Sequence, residues 1–289
     1  MIHNNLSIPT IIGSSLGMIG GLMFMIVYGL IKEIRDSGRK FIFALSVCDF
    51  LLGFSAILPG PSVNGLCQFQ SFFLSFSYAG SFCFIFLLAL VYFLKIFYGK
   101  NVDESRKFFI IAIIVIVVFC LISSTLFVTL GKVGSGNTHW CWIEKHRAEL
   151  VVYSIIWVCL FGTVLLYSIL FFKIRKEQKY SKSFQYKIFA LGWIYVCTEL
   201  FPSIKRARQI ANPDVENNLF LDVMQSLTAP MLGIWDAVFF VFADKNVRTF
   251  IKVKCGKPKK SLNLIKNQNI LMQEHLINDD PNDDLNDDN

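Results

Sequence analysis

The chain has 289 residues, of which 54% are hydrophobic and only 17% charged, and a formal net charge of +7. A soluble domain carries roughly 25% charged residues, so this balance excludes an ordinary water-soluble globule, and no stretch outside the apolar body could build a second soluble core. The positive charge sits in short loops between apolar runs and therefore implies no nucleic-acid partner.

Seven apolar stretches follow one another, each long enough for a membrane span at about 1.5 Å of rise per residue across roughly 30 Å of hydrocarbon. Residues 1–7 are expected as a short extracellular N-terminus, with Asn5-Leu6-Ser7 a sequon that makes Asn5 a glycosylation candidate. The first stretch, Ile8–Ile31, lacks a basic region before it and meets Lys32 and Arg35 directly after it, so it reads as a permanent span and not a cleaved signal. Its Gly13, Gly17 and Gly21 recur at i, i+4 and i+8, a small-residue stripe for close contact inside the bundle or between two copies. The second stretch, Phe41–Leu58, carries Asp49, and the third, Phe69–Leu94, follows Cys67. Phe108–Leu130 is the fourth. The loop after it, 131–149, holds His139, Trp140, Cys141, Trp142, Lys145 and Arg147. The fifth, Leu150–Phe172, leads into the basic loop 173–187, and the sixth, Ile188–Ile204, contains Gly192, Glu199 and Pro202, two residues able to bend a helix and one buried acid. The seventh, Asn218–Phe242, contains Asp236. Residues 243–256 are expected as a juxtamembrane amphipathic helix, with Val247, Phe250 and Ile251 toward lipid and Lys245, Arg248, Lys252 and Lys254 toward headgroups, unless they are simply a basic solvated tail. Residues 257–289, acidic at their end, are expected as a disordered tail.

Counting Lys and Arg orients the bundle. Loops 32–40, 95–107 and 173–187 with segment 245–260 hold 21, while the N-terminus, the turn 59–68 and the loops 131–149 and 205–217 hold 6. The positive-inside rule then places the N-terminus outside and the C-terminus in the cytoplasm. The expected class is an all-α membrane protein, a seven-transmembrane helix bundle of residues 8–242 in a multi-pass arrangement, most simply in the plasma membrane.

Five cysteines (Cys48, Cys83, Cys120, Cys159, Cys197) lie singly within stretches and read as small apolar packing residues. Cys67 and Cys141 both face the oxidising side and are expected to form a disulfide that ties the outer loop to the third helix, the alternative being two free thiols. Cys255, on the cytoplasmic side, is a palmitoylation candidate.

Charge inside a bilayer is costly and turns to the bundle interior. Asp49 and Asp236 lie at nearly equal depth, so a bundle that sets the second helix beside the seventh would let them share a proton or a cation as a switch. The other reading is that each is bonded separately as structural glue. At the outer side His139, Lys145, Arg147, Lys205, Arg206 and Arg208 could receive an anion, with Arg206 the best candidate and Glu199 an orienting acid; snorkelling and solvated loop charge is the plainer reading, and Trp140 and Trp142 suit interface anchors or a loop lid as well as a ligand-stacking surface. At the inner side Lys173, Arg175, Lys176, Lys179 and Lys182 could dock a cytoplasmic partner, or merely fix the topology.

Four motifs are shared with one family. Leu45-Ser46-Val47-Cys48-Asp49-Phe50-Leu51, Trp140-Cys141-Trp142-Ile143, Pro202-Ser203-Ile204-Lys205-Arg206 and Pro230-Met231-Leu232-Gly233-Ile234-Trp235-Asp236 together resemble the cyclic AMP receptor-like family of G-protein-coupled receptors of social amoebae. The resemblance implies a receptor for an extracellular ligand, a cyclic nucleotide or another small anion, acting on a heterotrimeric G protein. The chain departs from the pattern at Lys205, which stands in an Asn place, and at Asp236, which stands in another. Frizzled-type receptors without their cysteine-rich domain are similar in outline. No Gly-Lys-Ser/Thr phosphate loop or His-Glu-x-x-His occurs, and residues 218–242 hold no Lys for a retinal Schiff base, so neither an enzyme nor a cofactor is expected. The rival from another class is a small transporter, which would require a repeat between helices 1–3 and 5–7 that the sequence does not display.

Overall fold

The structure is a computed structural model that describes residues 2–31, 37–58, 64–99, 105–131, 133–134, 140–143, 146–177, 182–211 and 218–243. In chain order these form α1 (Ile2–Leu30), α2 (Ser37–Ile57), α3 (Asn64–Tyr98), α4 (Arg106–Leu130), β1 (Val133–Gly134), β2 (Trp142–Ile143), α5 (His146–Glu177), α6 (Lys182–Ala211), α7 (Leu219–Thr228), a 3-10 turn (Ala229–Met231) and α8 (Leu232–Ala243). The expected amphipathic helix, the acidic tail and Cys255 lie outside the described residues.

The helices outrun the apolar stretches because their hydrogen bonds continue where the lipid ends. α1 begins at Ile2, which takes the residues expected as a free N-terminus into its first turns. α3 reaches 35 residues, about 52 Å at helical rise, and stops at Gly99, whose φ of +63° only glycine adopts without cost. α4 starts on Ser105, whose hydroxyl accepts the Phe108 N–H at 3.3 Å, and α7 starts on Asn218, whose side-chain oxygen accepts from Phe220 and Leu221.

The seventh stretch is not one helix. Pro230 has no N–H to return to the carbonyl four residues back, so the helix tightens to 3-10 over Ala229–Met231 before resuming as α8. The sequence reading gave that stretch no break. Pro202 has the same effect without breaking α6: it leaves the Thr198 carbonyl without an intrahelical donor, and the Thr228 hydroxyl at the end of α7 donates to that carbonyl at 3.1 Å.

Helices α1, α2, α3, α5, α6 and α7 pack in sequence, and α7 and α8 return to α1, while α4 lies outside against α3 and α5. Most of the largest fully buried side chains, among them Phe82, Ile85, Tyr153, Ile156, Tyr167 and Tyr195, come from α3, α5 and α6, with Phe41 and Leu45 from α2 and Phe127 from α4. On α4 only Cys120, Ser123, Ser124 and Phe127 are buried, and Ile111, Ile114, Val115, Val118 and Ile122 lie open. An apolar face of that kind belongs in lipid.

Among the described residues six segments are long and apolar enough to cross a membrane: Ile8–Leu30, Lys40–Ile57, Gly65–Tyr98, Arg106–Leu130, Leu150–Lys176 and Leu219–Phe240. The chain is therefore a helical, multi-pass membrane protein. The second half of α6 carries Glu199, Lys205, Arg206 and Arg208.

The glycine stripe of α1 has its answer inside the bundle. A Cβ on Gly13 would collide with the Leu227 backbone, one on Gly17 with the Pro230 carbonyl, and one on Gly21 would stand 2.8 Å from the Phe50 nitrogen on α2. Close packing within the chain consumes all three positions.

Candidate functional site

At one end of the bundle a short lid covers the helices. Val133 pairs with Ile143 and Gly134 with Trp142 in an antiparallel two-stranded ribbon. Cys141 lies at disulfide distance from Cys67 at the start of α3, with Cα atoms 5.3 Å apart. Its backbone is also held twice by side chains: the Cys141 N–H donates to Gln70 Oε1 at 2.9 Å, and the Ser71 hydroxyl donates to the Cys141 carbonyl at 2.9 Å. Gln70 uses its amide nitrogen on the Ser55 and Leu58 carbonyls at the end of α2, at 2.9 and 2.6 Å. One side chain thus links α3 to the lid and to the last turn of α2.

Beneath the lid is a small cavity lined by Leu52, Ala56, Leu74, Tyr78, Trp140, Trp142, Tyr153, Gln225, Ala229 and Pro230. About 30 Å³ of it can hold the centres of water molecules, room for a couple of waters at roughly 10–15 Å³ each. Trp140 and Trp142 are both buried, so they line this space and do not stand at a lipid interface. The Trp142 ring packs edge-on to Phe127 with centroids 4.9 Å apart. Two polar atoms of the lining, Trp142 Nε1 and Gln225 Oε1, are buried with no partner in the protein. Every wall residue is uncharged.

The cations expected to crown this end are divided by the structure. Lys205 and Arg206 are buried, at 7% and 3% exposure, whereas Arg208 is exposed. Lys205 Nζ lies 2.5 Å from Asp222 Oδ1 in the first turn of α7. Arg206 donates from Nε to the Tyr153 hydroxyl at 3.3 Å and from Nη1 to Gln209 Oε1 at 2.7 Å, with its guanidinium 5.6 Å from the Tyr153 ring centroid. Glu199 accepts a hydrogen bond from the Tyr78 hydroxyl and another from Ser203 at 3.3 Å, and the Trp157 indole N–H donates to Ser203 at 3.0 Å. Glu199 therefore engages hydroxyls of α3 and of its own helix. His139 and Lys145 lie outside the described residues, and Arg147 falls in the first turn of α5.

Deeper in the bundle, Asp49 and Asp236 come together. The Ser81 hydroxyl donates to Asp49 Oδ1 at 2.7 Å, and the Tyr195 hydroxyl donates to Asp236 Oδ2 at 2.5 Å. The two carboxyl groups lie close enough to act on one another. Their remaining oxygens, Asp49 Oδ2 and Asp236 Oδ1, have no protein donor. The meeting is possible because Gly233 lets α8 approach: a Cβ there would clash with the Gly17 carbonyl and stand 3.1 Å from Asp49 Cβ. At the far end Lys173 caps the Phe97 ring, its Nζ 4.0 Å from the centroid, and Arg175 and Lys176 are exposed. Lys182 opens α6, and Lys179 lies outside the described residues. Asn5 falls within α1.

Sequence reasoning did not single out Gln70, Tyr78, Ser81, Tyr153, Tyr195, Asp222 or Gln225. Asp222 was the most accessible of these, an acid four residues past a helix-capping Asn218 and on the same stretch as Asp236. The tyrosines gave no signal, since an aromatic in an apolar run is indistinguishable from core.

The fold and the buried polar site define a multi-pass helical membrane protein whose interior charges are organised at two levels. No family model matches the chain. It is 25% identical over 285 residues to cyclic AMP receptor-like protein A of Dictyostelium discoideum, covering 92% of this chain and 74% of that protein. It is 23% identical over 166 residues to G-protein coupled receptor 1 of Arabidopsis thaliana, covering 56% of this chain and 49% of that protein. Both distant relatives are named as receptors and neither as an enzyme.

Proposed function

We propose that the chain is a seven-span G-protein-coupled receptor, with α6 as its sixth span, the lid outside and the basic end of α5 in the cytoplasm. The observation that carries this reading is the way α6 is held. At the lid end Lys205 binds Asp222 of α7, Arg206 meets Tyr153 of α5, and Glu199 accepts from Tyr78, itself a wall of the cavity. Lower down Thr198 is tied to Thr228, and Tyr195 to Asp236. A molecule that moves Tyr78 or Tyr153 would disturb the bonds that fix α6, and displacement of a helix is how an inner cleft opens for a G protein.

The cavity favours a small uncharged ligand over an anion. Its lining carries no charge, the two buried cations beside it already have partners, and its volume in this packing is far below that of a nucleotide. Cyclic AMP, which appears in the name of the Dictyostelium relative, would need the lid to lift and Lys205 or Arg206 to change partner. Lys173, Arg175 and Lys176 at the end of α5 and Lys182 at the start of α6 would face the G protein. Cys67–Cys141 would be a disulfide on the oxidising side. Asp49 and Asp236 would be the switch between packings.

The test is guanine-nucleotide exchange on a panel of Gα subunits with membranes that contain or lack the protein, bare, with cyclic AMP, and with conditioned medium. Exchange that requires the protein and falls in Trp142→Phe or Gln225→Leu supports both receptor and cavity. Absence of exchange across the panel, with the protein shown at the surface, ends the receptor reading.

A further inference from the structure

We infer that Asp49 and Asp236 hold a single proton between them, an O–H···O bond joining α2 to α8, and that displacement of α6 changes how many protons the pair binds. The two carboxyls offer four oxygens. Asp49 Oδ1 takes the Ser81 hydroxyl and Asp236 Oδ2 takes the Tyr195 hydroxyl. The remaining two oxygens have no donor among the described residues, and the two carboxyls lie close enough to act on one another. If both acids were ionised, two negative charges would touch in a medium of low dielectric, an arrangement that carboxyl pairs avoid by keeping one proton. If both were protonated, the second O–H would have to be accepted by the Ser81 or Tyr195 hydroxyl, which would then give up its own bond to the carboxyl. One proton satisfies every oxygen present.

No cation competes for the position. Among the described residues the buried basic side chains are Lys205 and Arg206, ten and eleven residues beyond Tyr195 on α6, about 15 Å away at helical rise. The titratable groups that surround the pair are neutral donors or thiols: Cys48 on α2, Cys83 on α3, Tyr167 on α5 and Tyr195 on α6. α1 contributes only the glycine backbone at Gly17 and Gly20 that meets α8. The oxygen set is also poor for a metal ion, which would want five or six ligands where two carboxylate oxygens lack a donor among the described residues.

The coupling follows from where the donors sit. Asp49 and Asp236 are fixed on helices that each press on α1 at a glycine, α2 at Gly21 and α8 at Gly17 and Gly20, whereas the Tyr195 hydroxyl belongs to α6. Its bond supports the ionised form of Asp236. When α6 moves away that support is lost, and the pair gains affinity for a second proton. Proton binding and the position of α6 are then linked, each shifting the other.

Infrared spectroscopy of the full-length protein in lipid nanodiscs decides the matter independently of any receptor activity. ¹³C-aspartate labelling separates the carboxyl band of this pair from Glu199. One protonated aspartic acid per molecule is expected at neutral pH, in sodium buffer and in N-methylglucamine buffer alike. Asp49→Asn and Asp236→Asn should each abolish it, since the amide donates the bond in place of the proton and leaves the other acid ionised. Tyr195→Phe, a change that keeps the packing, should enlarge or shift the band. No protonated aspartate in the unmodified protein overturns the inference, and so does a band that survives each Asn variant at half its area. A band present only without sodium assigns the position to a metal cation and overturns it equally. A band indifferent to Tyr195→Phe removes the link to α6.

Discussion

The two sides of the bundle meet their neighbours through different atoms. On the α1 side glycines press on backbone: Gly13 and Gly17 on the 227–230 segment, Gly20 on Gly233, and Gly53 on the Met18 nitrogen at 2.7 Å. On the α5–α6 side they press on side chains. Gly162 would bring a Cβ to within 2.6 Å of the Phe86 ring, Gly192 to 3.3 Å of Tyr167, and on α3 Gly80 to 2.9 Å of the Cys48 sulfur. Side chains have other rotamers to adopt and backbone does not. The first side is a frame that cannot yield locally, and the second is a set of contacts that can repack, with Lys205–Asp222 and Thr198–Thr228 tethering one to the other.

That contrast fails first at Gly17 if it is wrong. Gly17→Val should prevent folding, at a cost beyond the roughly 1–3 kcal/mol of ordinary overpacking, and surface expression should fall to background; normal expression would mean that α1 is free to shift. Next in size is the tether. Lys205→Met should destabilise by about 3–5 kcal/mol because it strands the buried Asp222, and the double variant with Asp222→Leu should regain most of the loss in a thermal-stability assay. Failure of the second substitution to rescue would show that the two charges do not depend on each other. Cys67→Ser should cost about 2–5 kcal/mol, measured as a lower thermal midpoint that reducing agent does not lower further. Thr228→Val leaves the Thr198 carbonyl without its donor, a loss of about 1–3 kcal/mol, and should loosen α6, seen as faster cysteine labelling at Cys197. Smallest of all, Gly192→Ala should change stability by less than about 1.5 kcal/mol, because the Tyr167 ring can give way. A loss as large as that of Gly17→Val would erase the distinction between the two sides.

Much of this was legible in the residues. Apolar length located the spans, and the depth of Asp49 below one end of its helix matched that of Asp236, which is why their meeting could be anticipated. The interruption at Ala229–Met231 was readable from Pro230 but hidden within an otherwise continuous apolar run. What the sequence could not convey was rotation about a helix axis. Lys205 and Arg206 look like solvated cations because they end a stretch, yet each faces inward toward Asp222 or Tyr153. Their partners lie on other helices, and only the packing of α5, α6 and α7 sets which side of α6 turns in. Trp142 posed the same difficulty: a tryptophan beside a membrane suits an interface or a lid equally well, and its pairing with Gly134 decides for the lid.

The threefold attachment of Cys141, through Cys67, Gln70 and Ser71, bears on time as much as on shape. A cover pinned at its centre cannot swing open as a hinge, so whatever occupies the space under Trp140 and Trp142 exchanges only when neighbouring helices separate. Entry and exit would slow together, leaving affinity nearly unchanged while residence lengthens. In the receptor proposed above, the response would then follow the average of past exposure, and a brief pulse would leave little trace.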